Sequence, residues 1–287
     1  MQCKLCGTWV GRPKYRLDGF SVLACPNCSV VFTDLEPTRD ELRQLYSLDY
    51  FSQRQEYYFE NSVVDPVKGR EDAQIGDFKR WLELLESRKG KGRLLDIGCG
   101  IGVFLKMAQD RGWEAYGVDV SDDAVGIARS RLCVNAYAGT LAEADFADGS
   151  FDVVTLLDAF EHLPDPLRDL AAIRKVLKSD GVILLNTPNE RALLRRMAHV
   201  LHGISLGKCT YPVRKLFHEY HLYYYSAKTL ENTLNRAGFT VVYRESKSIP
   251  LVKARGSKIE KATVRALSVF EKLLGMEYEL VVIAGRP

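Results

Sequence analysis

The chain has 287 residues, of which 46% are hydrophobic and 27% are charged, as in an ordinary globular protein with a sizeable core. Its formal net charge of +3 is too small to indicate nucleic acid as a partner. No stretch has the roughly 18 apolar residues that a membrane-spanning helix needs, and the first residues show no apolar signal segment, so we expect a cytoplasmic protein.

Four cysteines near the N-terminus form two Cys-x-x-Cys pairs, Cys3 with Cys6 and Cys25 with Cys28. Thiolates in two such turns can complete a tetrahedral S₄ shell, which favours Zn²⁺. Four protein ligands leave no open coordination position, so we expect a structural zinc in a small ribbon over residues 1–36. A rubredoxin-like iron site and a redox pair are the alternatives.

The ribbon is predicted to contain two short strands, Tyr15–Val22 and Val30–Thr33. A connector over residues 37–72 follows, in which Thr38 and Glu41 form a capping box that opens a short helix. Aromatic residues later in the connector either pack between the ribbon and the main domain or form a lid over a binding site.

The segment Leu94–Gly102 combines a buried strand, a glycine turn and the start of a helix. Glycines at 98, 100 and 102 let the backbone approach a ligand to a distance that a Cβ would forbid. This spacing differs from the GxGxxG pattern of dinucleotide sites, and a structural turn without a ligand is the alternative. Asp119 ends a second strand a little over twenty residues past Asp96, where a doubly wound sheet places an acid for ribose hydroxyls.

From residue 73 onward, strands and helices alternate, which predicts a parallel sheet with helices on both faces. The predicted strands that follow are Trp113–Val118, Val134–Leu141, Phe151–Leu157, Val182–Asn186, Phe239–Tyr243 and Tyr278–Ile283. Gly181 is expected to close the helix before the fifth of the parallel strands.

The glycine turn, the acid at 119, the strand Phe151–Leu157 and the sequence Glu-His-Leu-Pro-Asp-Pro at 161–166 resemble class I S-adenosylmethionine-dependent methyltransferases. The resemblance covers residues 73–287. It implies a Rossmann-like α/β fold: a seven-stranded, mostly parallel sheet with helices on both faces, here preceded by the zinc ribbon. It also implies an antiparallel pair of strands at one edge of the sheet.

The same resemblance implies S-adenosylmethionine as cofactor. Asp96 and the glycine turn would hold its amino-acid end, Asp119 the ribose and Val120 one face of adenine, with Thr140 and Leu141 near the polar edge of the base. Many relatives carry an acid near position 140, where this chain has threonine. The implied cofactor-binding residues are Asp96, Gly98, Cys99, Gly100, Gly102, Asp119, Val120, Thr140, Leu141, Asp158 and Ala159.

Methyl transfer to a hydroxyl needs a base, and histidine supplies one near neutral pH. His218, Glu219 and His221 lie among aromatic residues after the fifth strand, as a polar pocket with stacking walls requires; a packed loop is the alternative. His162 borders the site after the fourth strand, and Asp158, Glu161 and His162 together offer ligands for a divalent ion. The histidine segment resembles that of sugar C-methyltransferases with an N-terminal zinc module, although Tyr220 is an extra residue here.

Because the second domain of those enzymes is missing, we expect O-methylation. The expected acceptor is a small polar molecule or glycan: a sugar, a nucleotide-linked sugar or a polysaccharide unit. The alternatives are an RNA methyltransferase that uses the ribbon to recognise RNA, and a non-catalytic protein that binds the cofactor.

Residues 189–225 form an insertion, with a basic amphipathic helix at 191–204. Arg191, Arg195 and Arg196 are expected on its polar face. A second amphipathic helix is predicted at Lys258–Leu274. One interpretation is that both helices pack on the domain with their charges in solvent. The alternative for the first helix is that it contacts a membrane surface or covers the substrate.

Overall fold

The computed structural model describes residues 1–46, 73–218, 220–248 and 258–287. The predicted connector from position 47 to 72, and with it most of the possible lid, lies outside the described residues. So does Glu219, one of the predicted catalytic residues. The first ten connector residues are described, and the capping box at Thr38 and Glu41 is confirmed there.

A seven-stranded sheet forms the centre of the molecule. Its strands, numbered after three strands of the N-terminal ribbon, are β4 (Arg93–Ile97), β5 (Glu114–Asp119), β6 (Asn135–Ala138), β7 (Phe151–Leu157), β8 (Leu177–Pro188), β10 (Thr240–Lys247) and β11 (Glu279–Gly285). The strand order is β6-β5-β4-β7-β8-β11-β10. Strands β4 to β8 are parallel, and β11 runs antiparallel to both β8 and β10. The predicted mostly parallel seven-stranded α/β sheet is therefore confirmed.

Helices cover both faces of this sheet. The described helices are α1 (Arg39–Leu45), α2 (Ala73–Lys89), α3 (Val103–Asp110), α4 (Asp122–Leu132), α5 (Pro166–Val176), α6 (Leu193–Ile204), α7 (Tyr211–Leu216), α8 (Ala227–Arg236) and α9 (Lys258–Leu274). Side chains from α2, α3 and α4 form the core on one face. Side chains from α5 and α8 form the core on the other.

The ribbon is a three-stranded antiparallel sheet of β1 (Pro13–Arg16), β2 (Ser21–Ala24) and β3 (Val31–Thr33). The single strand predicted at Tyr15–Val22 was wrong, because the chain turns at Asp18-Gly19 and forms the β1–β2 hairpin. Gly19 has φ +85°, a conformation that favours glycine and is typical of tight hairpin turns.

The ribbon sheet continues into the main domain. A fourth strand, β9 (Tyr223–Tyr224), pairs antiparallel with β3, with Val31 opposite Tyr224 and Phe32 opposite Tyr223. Ribbon side chains such as Val30 and Phe32 share one apolar cluster with Phe160 of the main domain. The ribbon is thus joined to the core of the main domain by backbone pairing and by packing.

Two local expectations differ from the structure. Helix α5 ends at Val176, and β8 begins at Leu177, so Gly181 lies inside the strand and does not close the helix. Leu177 is fully buried and pairs with Phe151, which draws the chain into the sheet early. Among the described residues, no helix is both long enough and apolar enough to cross a bilayer.

The predicted faces of α6 are also reversed in part. Arg195, expected on the polar face, is only 2% exposed, whereas the apolar residues Met197 and Leu201 are 44% and 47% exposed. The reason is aromatic packing: the Arg195 guanidinium lies 5.1 Å, 4.7 Å and 5.8 Å from the ring centres of Phe217, Tyr224 and Tyr278. Cation–π contacts of this kind compensate part of the cost of burying the charge.

Candidate active site

A cavity of about 620 Å³ lies at the carboxyl ends of the parallel strands. This is the edge where open α/β sheets bind their ligands, since the loops after the strands converge there. Its walls come from the loops after β4, β5, β6 and β7, from the end of β8, and from α1 and α2. The volume falls within the range of small-molecule sites.

The glycine turn after β4 borders the cavity in a backbone conformation that requires glycine. Gly98, Gly100 and Gly102 have φ values of +77°, +52° and +84°. A Cβ on Gly98 would lie 2.7 Å from the Cβ of Ala159, and one on Gly102 would lie 2.9 Å from the Cβ of Ala128. Gly98, Cys99 and Gly100 line the cavity, whereas Gly102 begins α3 and packs against α4.

Asp119 organises this turn from the next strand. Its Oδ2 accepts a hydrogen bond from the Gly100 amide at 2.8 Å, and its Oδ1 accepts one from the Ser121 amide at 2.9 Å. Burial raises the pKa of this carboxyl above its ordinary value, against the effect of the two backbone donors. Each oxygen keeps a lone pair, so the carboxylate can still accept from the hydroxyls of a ligand.

Asp96, at the end of β4, lies deeper in the same wall. It is 3% exposed, and its Oδ1 accepts a hydrogen bond from the Thr155 hydroxyl at 2.6 Å. Burial, with a smaller contribution from the charge of Asp119, raises the pKa of Asp96 to about 7. A cationic ligand group beside it would favour the ionised form.

The other predicted cofactor residues line the same cavity. Val120, Thr140, Leu141, Asp158 and Ala159 all contribute to its walls. The amide and hydroxyl of Thr140 both donate to Glu143 Oε2, at 2.8 Å and 2.9 Å, while Glu143 itself lies outside the cavity lining. Asp158 has φ +53°, and its Oδ1 accepts from the Asn186 side chain at 2.7 Å.

Three ionisable groups of the cavity wall meet at one point. Ligand atoms of Glu161, His162 and His221 all lie within 4.8 Å of one another, and the two imidazole rings are 4.7 Å apart between centres. Glu161 is 1% exposed; its Oε2 accepts from the Thr187 hydroxyl at 2.8 Å, while its Oε1 is buried without a hydrogen-bond partner among the described residues. Burial raises the pKa of Glu161 to about 7.

The protonation of His162 follows from its contacts. Its Nδ1 lies 2.6 Å from the carbonyl oxygen of Tyr220, which can only accept, so Nδ1 carries the proton and Nε2 is the unprotonated nitrogen of the neutral ring. The Tyr46 hydroxyl lies 2.9 Å from the same Nδ1. Burial lowers the pKa of His162 to about 4, so the ring is neutral at pH 7.

The histidines and tyrosines between positions 218 and 225 lie partly at the cavity and partly in the core. His221 lines the cavity, whereas His218 does not, although its ring centre lies 5.4 Å from that of His221. Tyr223, Tyr224 and Tyr225 are at most 3% exposed. The prediction that these aromatic residues wall a pocket was wrong, because β9 pairs with the ribbon and turns the three rings into the core.

Acidic residues predominate in the described cavity lining, and one of them, Glu279, pairs with Lys247 outside the lining at 2.8 Å. The described lining carries six carboxylates and no lysine or arginine. Glu279 and Tyr278 belong to this wall, although the sequence analysis did not predict them as site residues. The antiparallel strand β11 brings them from far along the chain to the end of β8. The acidic lining residues are Asp96, Asp119, Asp158, Glu161, Asp169 and Glu279.

The four ribbon cysteines converge as the spacing predicts. The Sγ atoms of Cys3 and Cys28 are 3.6 Å apart, those of Cys6 and Cys25 are 3.4 Å apart, and all four lie within 4.8 Å of one another. These separations are too long for disulfides and close to the edges of a tetrahedral thiolate shell. The donor set therefore fits a zinc ion.

A doubly wound sheet with this glycine turn, and with an acid at the end of the neighbouring strand, defines the class of S-adenosylmethionine-dependent methyltransferases. A family model described as a methyltransferase domain matches residues 70–244, which is more than half of the chain. The chain therefore belongs to this methyltransferase-domain family.

The comparisons with individual proteins agree with this assignment. The chain is 34% identical over 115 residues to a ubiquinone biosynthesis O-methyltransferase of Aromatoleum aromaticum, a match that covers 38% of this chain and 49% of that protein. The chain spans about half the length of the curated relatives it matches.

Solved structures support the fold. A S-adenosylmethionine-dependent methyltransferase of Archaeoglobus fulgidus superposes with a TM-score of 0.54 at 21% identity, covering 80% of this chain and 98% of that one. The [4+2]-cyclase SpnF superposes with a TM-score of 0.57 at 22% identity, covering 88% of this chain and 97% of that one. Since a cyclase shares the fold, the reaction has to be argued from the site.

Proposed function

We propose that the protein transfers a methyl group from S-adenosylmethionine to a hydroxyl of a small, uncharged acceptor. The observation that carries the proposal is the cavity lined by six acids, whose wall contains both the glycine turn and the Glu161–His162–His221 group. A sulfonium donor with an ammonium group is cationic, and acidic walls favour it.

The same charge pattern bears on the acceptor. Nucleotide-linked sugars and RNA both carry phosphates, and the described lining offers them no lysine or arginine. Leu42, Ile75, Phe78, Leu163 and Tyr278 make much of the remaining wall apolar. An uncharged hydroxylated ring, such as a phenol, suits this surface better than a free sugar. The similarity to ubiquinone biosynthesis O-methyltransferases supports a hydroxyl on a small molecule as the acceptor.

The donor supplies an already activated methyl group, so the chain has to align the acceptor, exclude water and take up a proton. In this mechanism the acceptor oxygen attacks the methyl carbon as the carbon–sulfur bond breaks. His221 takes the hydroxyl proton. His162, neutral and held through Nδ1, and the buried Glu161 carboxylate stabilise the positive charge that His221 acquires.

A divalent cation at the same group is the second candidate, favoured by the convergence of one carboxylate and two imidazoles. The ligands would be Glu161, His162 and His221, whereas Asp158, expected from the sequence, does not belong to this group of three and is bonded to Asn186. A bound cation would lower the pKa of the acceptor hydroxyl. Activity that disappears with EDTA and returns with Mg²⁺, while the zinc content of the ribbon stays unchanged, would favour this candidate over a free histidine base.

The acceptor is tested by a labelled-methyl assay with a panel of alkylated catechols, free hexoses, nucleotide sugars and RNA. We expect label in the catechols. Label in the nucleotide sugars or RNA alone would contradict the proposed uncharged acceptor. Cofactor binding without transfer to any member of the panel or to cell-extract fractions would indicate a non-catalytic protein.

The proposed base is tested by His221→Ala. Loss of a general base lowers turnover by about 100-fold or more, while calorimetric affinity for S-adenosylmethionine should stay unchanged. His202→Ala is the matched control, since His202 packs against Tyr15 in the ribbon and lies outside the cavity lining. Equal turnover in the two variants would remove His221 from the mechanism.

A further inference from the structure

An apolar stripe on α6 points into solvent. Met197, Val200, Leu201 and Ile204 follow the i, i+3, i+4, i+7 spacing that normally faces a core, yet they are 44%, 53%, 47% and 77% exposed. Leu206, just beyond the helix, is 89% exposed, and Tyr211 is 69% exposed. Contiguous exposed apolar surface on a folded domain marks a contact with a partner or a membrane.

The opposite side of α6 is already occupied by the domain. Arg195 lies buried among aromatic rings there, Ala198 is 2% exposed, and His199 Nδ1 lies 2.7 Å from the Tyr15 hydroxyl of the ribbon. The stripe therefore cannot be covered by rotating the helix without exposing these contacts. Its exposure is a consequence of how α6 is anchored.

The charged residues of the segment that carries the stripe, residues 191–216, are all basic. Between residues 191 and 216 the sequence contains six lysines and arginines and no aspartate or glutamate. Apart from Arg195 these basic residues are exposed: Arg191, Arg196, Lys208, Arg214 and Lys215. Of these, Arg214 pairs with Asp18 at 2.8 Å.

We propose that this face, α6 with the segment to Lys215, docks on a bilayer that contains anionic phospholipids. Apolar side chains bordered by lysine and arginine fit the boundary between acyl chains and anionic headgroups. A second copy of the chain fits less well, because a two-fold contact would bring the basic border against itself, and Asp18, the acidic residue beside this border, already pairs with Arg214.

A second helix ends beside this face. The Leu193 amide at the start of α6 donates to the Met276 carbonyl at 2.9 Å, just after α9, and the last turns of α9 expose Leu273 at 76% and Leu274 at 58%. Arg195 of α6 packs against the ring of Tyr278, which lines the cavity. Docking through α6 would therefore place the cavity near the bilayer. This inference does not depend on the proposed reaction.

The test is flotation of the full-length protein with vesicles of phosphatidylcholine and 30 mol% phosphatidylglycerol, a composition that supplies the anionic headgroups. We expect the protein to float with these vesicles, not with pure phosphatidylcholine, and to lose roughly fivefold in binding for each basic residue neutralised. Val200→Glu combined with Ile204→Glu should reduce binding by about tenfold or more, because carboxylates would enter the interface.

Matched controls separate docking from general effects. Val242→Glu places a carboxylate at another exposed valine, 55% exposed on β10, and Lys175→Glu reverses an exposed lysine on α5; both should float like the wild type. Cofactor affinity that is unchanged in all variants shows that they fold. Absence of wild-type flotation, flotation unaffected by the Val200 and Ile204 changes, or a solution dimer that those changes abolish would each overturn the proposal.

Discussion

Asp96 lines the cavity, where it could bind a cationic ligand group, but its burial disfavours the charged carboxylate. The carboxyl is 3% exposed and has the Thr155 hydroxyl as its hydrogen-bond donor, so burial outweighs the stabilisation of the ionised form and raises its pKa to about 7. In the folded, ligand-free protein this group contributes stability that is fully present below about pH 4 and is lost as the pH rises through about 7. A cationic ligand group reverses the balance, because it favours the carboxylate.

This environment predicts that cofactor binding depends on pH. Between pH 8 and pH 6 the Asp96 carboxyl gains a proton, so its attraction for the cofactor ammonium group is lost and the Kd for S-adenosylmethionine should rise, by up to about tenfold per pH unit below the pKa. Calorimetry across this range measures the effect. Asp96→Asn retains the acceptor oxygen for Thr155 and should bind weakly with a flat profile; a flat wild-type profile would contradict the assignment.

At the scale of elements, the turn between β4 and α3 depends on backbone geometry more than on side chains. Gly98 combines φ +77° with a Cβ position 2.7 Å from Ala159, so any side chain meets both strain and a clash with the β7 loop. Sequence spacing identified the turn. The structure shows that Ala159 faces this turn, because β4 and β7 pair in parallel and their following loops meet.

Replacing Gly98 and a second glycine tests this account. Gly98→Ala should lower the free energy of unfolding by about 1–3 kcal/mol and weaken cofactor binding. Gly126→Ala lies in the interior of α4, where an added Cβ meets nothing within 4 Å, and should stabilise the protein by up to about 1 kcal/mol. Chemical denaturation measures both, and equal effects of the two substitutions would show that turn geometry is unimportant.

On the scale of the whole molecule, the ribbon and the main domain share a β-sheet and an apolar core. The β3–β9 pairing ends two residues from His221, and the ribbon cysteines belong to the same apolar cluster as Phe160 and Leu222. A structural ion in the ribbon would therefore support the loop that carries the proposed base. This coupling could not be derived from the motifs, since they lie almost two hundred residues apart.

We predict one zinc ion per chain, bound by the four ribbon cysteines. Cys25→Ser should reduce the zinc content measured by mass spectrometry and lower the Tm by roughly 10 °C, because metal binding contributes to folding. Cys133→Ser, at an exposed thiol, is the matched control and should change neither quantity. Iron in place of zinc, or a Tm that is unchanged when zinc is lost, would contradict a structural zinc site.

The sequence by itself determined the alternation of strands and helices, the glycine turn with its acids at 96 and 119, and the convergence of the four ribbon cysteines. These features depend on local spacing, which the chain carries in contiguous residues. Only the tertiary structure decided that Tyr223–Tyr225 belong to the core, that Tyr278 and Glu279 line the cavity, and that α6 buries Arg195 while exposing its apolar stripe. Each of these depends on which distant segment packs against the residue, and local periodicity does not encode that choice.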